Sequence, residues 1–137
     1  EAVSKGGKLL CGGNREGNLI YPAVVEDPPQ DCSLCCEEVF GPVATLEKVP
    51  SVEEAFRRIS SGRYGLQAGV FTKDVDSILA AWEDLEVGGI IVNDIPSYRS
   101  EAMPYGGVKE SGVGREGIRA AIDEFTESRT LVLRRSM

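Results

Sequence analysis

The feature that most constrains the fold is an alternation of short apolar runs with stretches of helical spacing between Val43 and Val92. Val43 to Val49 alternates apolar and polar residues, as a strand with one exposed face does. Ser51-Val52-Glu53-Glu54 reads as a capping box, in which the serine caps the backbone and Glu54 reaches back. Ala55, Phe56 and Ile59 supply one apolar helical face that ends near Gly62, and Ala68 to Thr72 is a short buried strand without internal charge. Asp74 caps a second helix with Val75, Ile78, Leu79, Trp82 and Leu85 at helical spacing, and Trp82 is expected in the core. Gly88-Gly89 stops that helix, and Ile90-Ile91-Val92 is an apolar strand. Strand, helix, strand, helix, strand in this order requires crossover connections, which predicts an α/β fold with a mainly parallel sheet and covering helices.

The flanks add to this frame. Glu1 to Lys5 reads as the tail of a helix ended by Gly6-Gly7, and Lys8 to Cys11 as a strand before the Gly12-Gly13-Asn14 turn. Leu19 to Val25 is a second extended run, and Asp27 to Ser33, with two prolines, is a loop. Beyond Val92, a long loop from Asn93 to Arg115 has the length of a functional or lid-like segment. Gly117 to Phe125 reads as a short helix, and Thr130-Leu131-Val132-Leu133 as a last strand ahead of Arg134-Arg135.

At 137 residues this is one domain's worth of chain, with 42% apolar and 27% charged residues, ordinary for a globular fold. The net charge of -7 disfavours a nucleic-acid surface, which needs a basic stripe, so no nucleic-acid partner is expected. No apolar run has membrane-spanning length and no secretory signal is present, so no membrane association is expected. The chain begins Glu-Ala-Val without a methionine, as a fragment or processed piece would. Cys11, Cys32, Cys35 and Cys36 suit neither a disulfide framework nor, in a chain without histidine, a zinc site. Reduced structural thiols are expected, no metal, and a cytoplasmic location. A thiol-redox or metal module on Cys32, Cys35 and Cys36 is the competing reading.

Three ordered stretches carry the functional signal. Cys36-Glu37-Glu38-Val39-Phe40-Gly41-Pro42-Val43 packs two acids, an aromatic, a glycine and a proline into one turn, where Gly41-Pro42 stops any regular element. Tyr64-Gly65-Leu66-Gln67-Ala68-Gly69-Val70-Phe71-Thr72 and Pro104-Tyr105-Gly106-Gly107-Val108-Lys109-Glu110-Ser111-Gly112-Val113-Gly114-Arg115-Glu116 follow. In order and spacing they resemble the C-terminal part of the NAD(P)-dependent aldehyde dehydrogenase superfamily. Within the last stretch, Gly112-Val113-Gly114-Arg115-Glu116-Gly117 matches G-x-G-x-x-G, but a glycine-rich polar loop precedes it instead of a strand. These glycines read as tight turns.

The resemblance implies a partial catalytic domain over residues 1–127 and an oligomerisation strand over residues 128–137, hence a homo-oligomer. It implies that Glu38 accepts hydrogen bonds from the nicotinamide ribose hydroxyls and that Phe40 packs beside the nicotinamide, while Glu37 is solvated. Tyr105 falls at the wall of the aldehyde tunnel, and Arg99 in the variable segment lining it. Arg99 either grips a carboxylate or phosphate of the substrate or is a surface residue paired with Glu101. The resemblance places the family's nucleophilic cysteine well upstream of Glu38-Val39-Phe40-Gly41-Pro42 and its general-base glutamate further upstream still, and none of the four cysteines has that context. The parent is therefore expected to oxidise a small-molecule aldehyde to a carboxylic acid with NAD or NADP, through a cysteine thioester. The chain alone is expected to have no catalytic residue, no bound cofactor and no activity. The alternative is a free-standing, non-catalytic binding or assembly module on the same fold.

Overall fold

A computed structural model describes residues 1–135. Its contacts divide the chain into two units, Glu1–Ala55 and Phe56 onward.

The first unit is built on a three-stranded sheet with β4 (Ala23–Glu26) in the middle. β1 (Lys8–Cys11) pairs with it antiparallel, with a bulge between Leu9 and Cys11, and β5 (Val43–Leu46) pairs with it parallel, Ala23 opposite Val43. The extended run from Leu19 to Val25 is broken at Tyr21-Pro22, because proline has no amide for the ladder. Its first part, β3 (Leu19–Ile20), folds back instead on β2 (Arg15–Glu16) through a Gly17-Asn18 turn in which Gly17 takes φ +59°. Residues Glu1 to Lys5 form a single turn, with the Lys5 amide 3.0 Å from the Glu1 carbonyl. A four-residue helix, α1 (Ser33–Cys36), lies in the connection from β4 to β5.

α2 (Val52–Ser61) starts with the serine half of the expected box: the Ser51 hydroxyl accepts from the Glu54 amide at 3.3 Å. The Ser51 hydroxyl also bonds the Glu53 carboxylate and holds that acid below its ordinary pKa.

In the second unit β7 (Gln67–Val70) and β8 (Gly89–Val92) are parallel, with α3 (Val75–Asp84) in the connection between them. Asp74 caps α3, its carboxylate accepting from the Ser77 amide at 2.9 Å and hydroxyl at 2.6 Å. Phe56, Ala68, Ala81 and Leu85 make the core, flanked by Val70, Ala80, Val87 and Ile90. Phe56 is only 4% exposed, and burying a ring of that size contributes about 1.5–3 kcal/mol. β6 (Tyr64–Gly65) pairs antiparallel with β9 (Val108–Lys109), and α4 (Ile118–Phe125) closes the regular structure.

Four expectations need correction. The sheet is not mainly parallel: among the described residues there are four small sheets, with parallel pairs β4–β5 and β7–β8 and antiparallel pairs β1–β4, β2–β3 and β6–β9. The short Gly17-Asn18 turn returns β3 antiparallel on β2, whereas a parallel pair needs a long connection and a long connection allows either direction, as β6 and β9 show. Trp82 is 75% exposed. The buried face of α3 runs through Ala81 and Leu85, and Val75, Leu79 and Trp82 form a separate exposed stripe. The loop after Val92 is not without strand, since β9 lies within it. Thr130 to Leu133 forms no strand, and Leu131, Val132 and Leu133 are exposed. A strand exists through its partner, and none pairs with this run within the described residues. Residues 136 and 137 of the expected assembly segment lie outside the described residues.

Candidate functional site

The stretch carrying Glu38 and Phe40 is extended backbone held at both ends. α1 stops at Cys36, where Glu37 turns extended and its amide returns to the Ser33 carbonyl at 2.9 Å. At the far end the Pro42 carbonyl accepts from the Ala23 amide at 2.9 Å, fixing the turn to β4. Between these anchors Glu38 and Phe40 line a cleft of about 420 Å³, with Ser33, Leu34 and Glu37 among its other walls. The Phe40 ring is 93% exposed, and the Glu38 carboxylate accepts no hydrogen bond from the described residues. Glu1, in the same cleft, is engaged: the Ser33 hydroxyl at 2.5 Å and the Lys5 ammonium at 2.9 Å hold its pKa down to about 2.

The thiols beside this cleft are engaged within their own segment. Cys32 is buried, its sulfur 3.9 Å from that of Cys35. Burial, with the Cys32 contact second, pushes the Cys35 thiol up to about 11, so it carries a proton at neutral pH. The Cys36 thiol donates to the Gln30 carbonyl at 3.1 Å. No group of three histidine, cysteine, aspartate or glutamate side chains arranged to hold a metal occurs among the described residues.

In the second unit the segment after β8 is also fastened. Asn93 takes φ +58°, a conformation asparagine tolerates, and its side-chain oxygen accepts from the Thr72 amide at 2.9 Å. The Gln67 amide nitrogen donates to the Pro96 carbonyl at 2.5 Å. Arg99 then lies over the Tyr105 ring, its guanidinium carbon 4.2 Å from the ring centre, and donates to the Glu116 carboxylate at 2.7 Å. The ion pair therefore runs to Glu116 and not to Glu101. Tyr105 and Glu116 exchange both backbone hydrogen bonds across an isolated antiparallel bridge, at 3.0 and 2.5 Å. Residues directly opposite across such a bridge put their side chains on one face, so ring and carboxylate form one cradle. Tyr105 and Glu116 also line a pocket of about 370 Å³ with Leu66, Val113, Arg115 and Glu124.

The glycine motif is turn structure. Gly112, Gly114 and Gly117 have φ of +132°, +80° and +125°, which only glycine adopts freely. The Arg115 amide, where a phosphate would have to bind, already donates to the Glu124 carboxylate at 3.1 Å. The Arg115 guanidinium is occupied as well, bonding the Gly107 and Gly114 carbonyls at 2.9 and 2.7 Å.

Comparison with known proteins gives this arrangement a family. Residues 1–131 match the model of the aldehyde dehydrogenase family. The chain belongs to that family. Over 133 residues it is 47% identical to lactaldehyde dehydrogenase of Methanococcus maripaludis and 44% to 3-sulfolactaldehyde dehydrogenase of Priestia aryabhattai, in each case 97% of this chain and 28% of the relative. Among solved structures it is similar to aldehyde dehydrogenase 21 of Physcomitrella patens in complex with the reaction product succinate. That match has 49% identity and a TM-score of 0.94, over 98% of this chain and 28% of the other. It is also similar to the glyceraldehyde-3-phosphate dehydrogenase of Methanocaldococcus jannaschii complexed with NADP, at 42% identity and TM-score 0.83 over 90% and 26%. The chain thus spans under a third of the length of these aldehyde dehydrogenases. Among the described residues no helix is long and apolar enough to cross a membrane.

Glu116 is the residue that the motifs alone did not single out. Its signal lay in an acid placed opposite Tyr105 by the turn at Gly112 to Gly114, visible only once the bridge is drawn.

Proposed function

We propose that this chain is part of an NAD(P)+-dependent aldehyde dehydrogenase and supplies one cofactor contact and one wall of its aldehyde tunnel. The observation that carries the reading is the Glu38–Phe40 turn, a partnerless carboxylate and an exposed ring on one cleft, within a family match covering nearly the whole chain. A free carboxylate suits the two hydroxyls of a ribose, and an exposed ring suits the flat side of a nicotinamide. The cofactor, when bound, accepts hydride. Glu38 and Phe40 hold and orient it, which matters because hydride transfer requires close approach to the reacting carbon. In the parent a cysteine thiolate adds to the aldehyde, the resulting adduct loses hydride, and water hydrolyses the thioester to the carboxylic acid.

That cysteine is none of Cys11, Cys32, Cys35 or Cys36, so this chain alone turns over no aldehyde. Tyr105 excludes water from the tunnel, and Arg99 attracts an anionic tail on the substrate. Half the Arg99 side chain is exposed, leaving guanidinium donors besides the one on Glu116. Relatives named for sulfonated and phosphorylated aldehydes, and one holding succinate, fit a substrate of this class. The test is Arg99→Ala in the parent enzyme, with succinic semialdehyde and butyraldehyde as probes. A loss of roughly tenfold in kcat/KM is expected for the anion alone, the size of a charge-assisted contact. Equal losses for both would reduce Arg99 to a structural residue.

A further inference from the structure

Arg99 is not a free cation. Its flat face rests on Tyr105 and one edge on the Glu116 carboxylate, and the Tyr105–Glu116 backbone bridge fixes those two partners relative to each other. An anionic group approaching Arg99 therefore meets a guanidinium whose charge is already matched by one acid. It also meets that acid itself, 67% exposed and of like charge to the ligand. Two carboxylates cannot both take the same guanidinium edge at full strength, and the one left over repels the other.

We propose that Glu116 is a specificity-determining positioning residue that acts through Arg99. It holds the guanidinium on Tyr105 and, as a like charge on the same cation, weakens the grip of Arg99 on the substrate's anionic tail, which binds the donors that Glu116 leaves free. This rests on the assignment of Arg99 to the substrate. The like charge sets a ceiling on affinity for anionic aldehydes. It also lets neutral aldehydes of similar size enter without stranding an unpaired cation, since Arg99 stays neutralised when no anion is present. The magnitude follows from the pair's exposure: an exposed ion pair corresponds to roughly a two- to fivefold change in a binding constant.

The experiment compares the parent enzyme with its Glu116→Gln variant on succinic semialdehyde and butyraldehyde. Glutamine keeps the backbone bridge and removes the like charge. The KM ratio of anionic to neutral substrate is expected to fall roughly two- to fivefold, while the ratio of the two kcat values stays put. In an Arg99→Ala background the same substitution is expected to leave the KM ratio unmoved, because the effect passes through Arg99. If Glu116→Gln does not fold, Glu116→Asp carries the test: it withdraws the charge by one carbon and shifts the ratio the same way by less. An unchanged or raised ratio, with Arg99→Ala still selective against the anion, overturns the role of Glu116 alone. An effect of Glu116→Gln that persists without Arg99 also overturns it. Equal losses for both substrates on Arg99→Ala instead overturn the underlying assignment of Arg99.

Discussion

Gly88 is where the loop carrying Tyr105 is pressed hardest against the strands beneath it. Its amide donates to the Gly65 carbonyl at 3.0 Å, and the next amide, of Gly89, to the Leu66 carbonyl at 3.1 Å. A Cβ at Gly88 would sit 2.7 Å from the carbonyl carbon of Gly106, closer still to its oxygen, and 3.0 Å from the Leu66 carbonyl oxygen. All three are backbone atoms, so no flexible side chain can swing away. To restore ordinary contact at 3.4 Å the Gly106 carbon alone must retreat by about 0.7 Å, carrying Tyr105 with it. The φ of Gly88 lies outside the left-handed region, so alanine meets no backbone penalty and the clash alone decides. With the Gly106 oxygen nearer still, the overpacking lies at the upper end of its usual range, about 3 kcal/mol, against a gain of about 0.4–1 kcal/mol from a stiffer unfolded chain. Gly88→Ala should therefore destabilise by about 2 kcal/mol, lowering the urea midpoint by roughly 1 M. Gly41→Ala is the control, since its Cβ would meet only Val39 Cγ1 at 3.9 Å, and it should hold or slightly raise the midpoint. Equal midpoints for the two variants would refute the argument that backbone contact at Gly88 sets the height of the Tyr105 loop.

Further outcomes can be checked separately. Glu38→Gln in the parent should slow single-turnover hydride transfer roughly tenfold or more, and an unchanged rate would remove Glu38 from the cofactor site. The Ser77 hydroxyl, then the Ser77 amide, holds the pKa of Asp74 below its ordinary value. Its stabilisation is thus complete above the unfolded pKa and lost as pH falls through the folded one, so the urea midpoints of wild type and Asp74→Ala should differ at pH 7 and converge below about pH 4. Residues 128–137 are proposed to mediate assembly, and light scattering should show association for the full chain and less for residues 1–127. Identical monomers over a wide concentration range would dismiss that role.

What was legible in the sequence is what neighbouring residues decide among themselves. Lys8–Cys11 is a strand because glycines bound a short apolar run, and α3 starts at Asp74 because a carboxylate three residues before Ser77 meets its amide. Strand pairing was not legible, because β4 finds its partners β1 and β5 across loops of quite different length. Helical spacing named the apolar residues of α3 but not which of its two adjacent stripes is buried. The small Ala81 took the core position and the large Trp82 the exposed one. Thr130 to Leu133 has strand composition without a strand, since composition cannot supply the partner.

The site was legible as a set of residues and illegible as a set of contacts. Arg99 was weighed against Glu101 because that acid is two residues away, yet its partner is Glu116, seventeen residues on. What brings Glu116 within reach is a chain of fastenings along the loop after β8, most of them to residues distant in sequence. Asn93 ties its start to Thr72, Gln67 holds Pro96, and Arg115 bonds the Gly107 and Gly114 carbonyls. Lys109, at φ +55°, reaches the carbonyls of Ser60 and Gly62 at the end of α2, at 2.6 and 3.1 Å, and the Glu86 carboxylate at 3.2 Å. A left-handed lysine is strained, and these three acceptors together hold it there. So long a loop suggests a lid, but one anchored at four points is a wall. Tyr105 then stands in place before any substrate arrives, and Arg99 and Glu116 are set on it rather than gathered by the ligand.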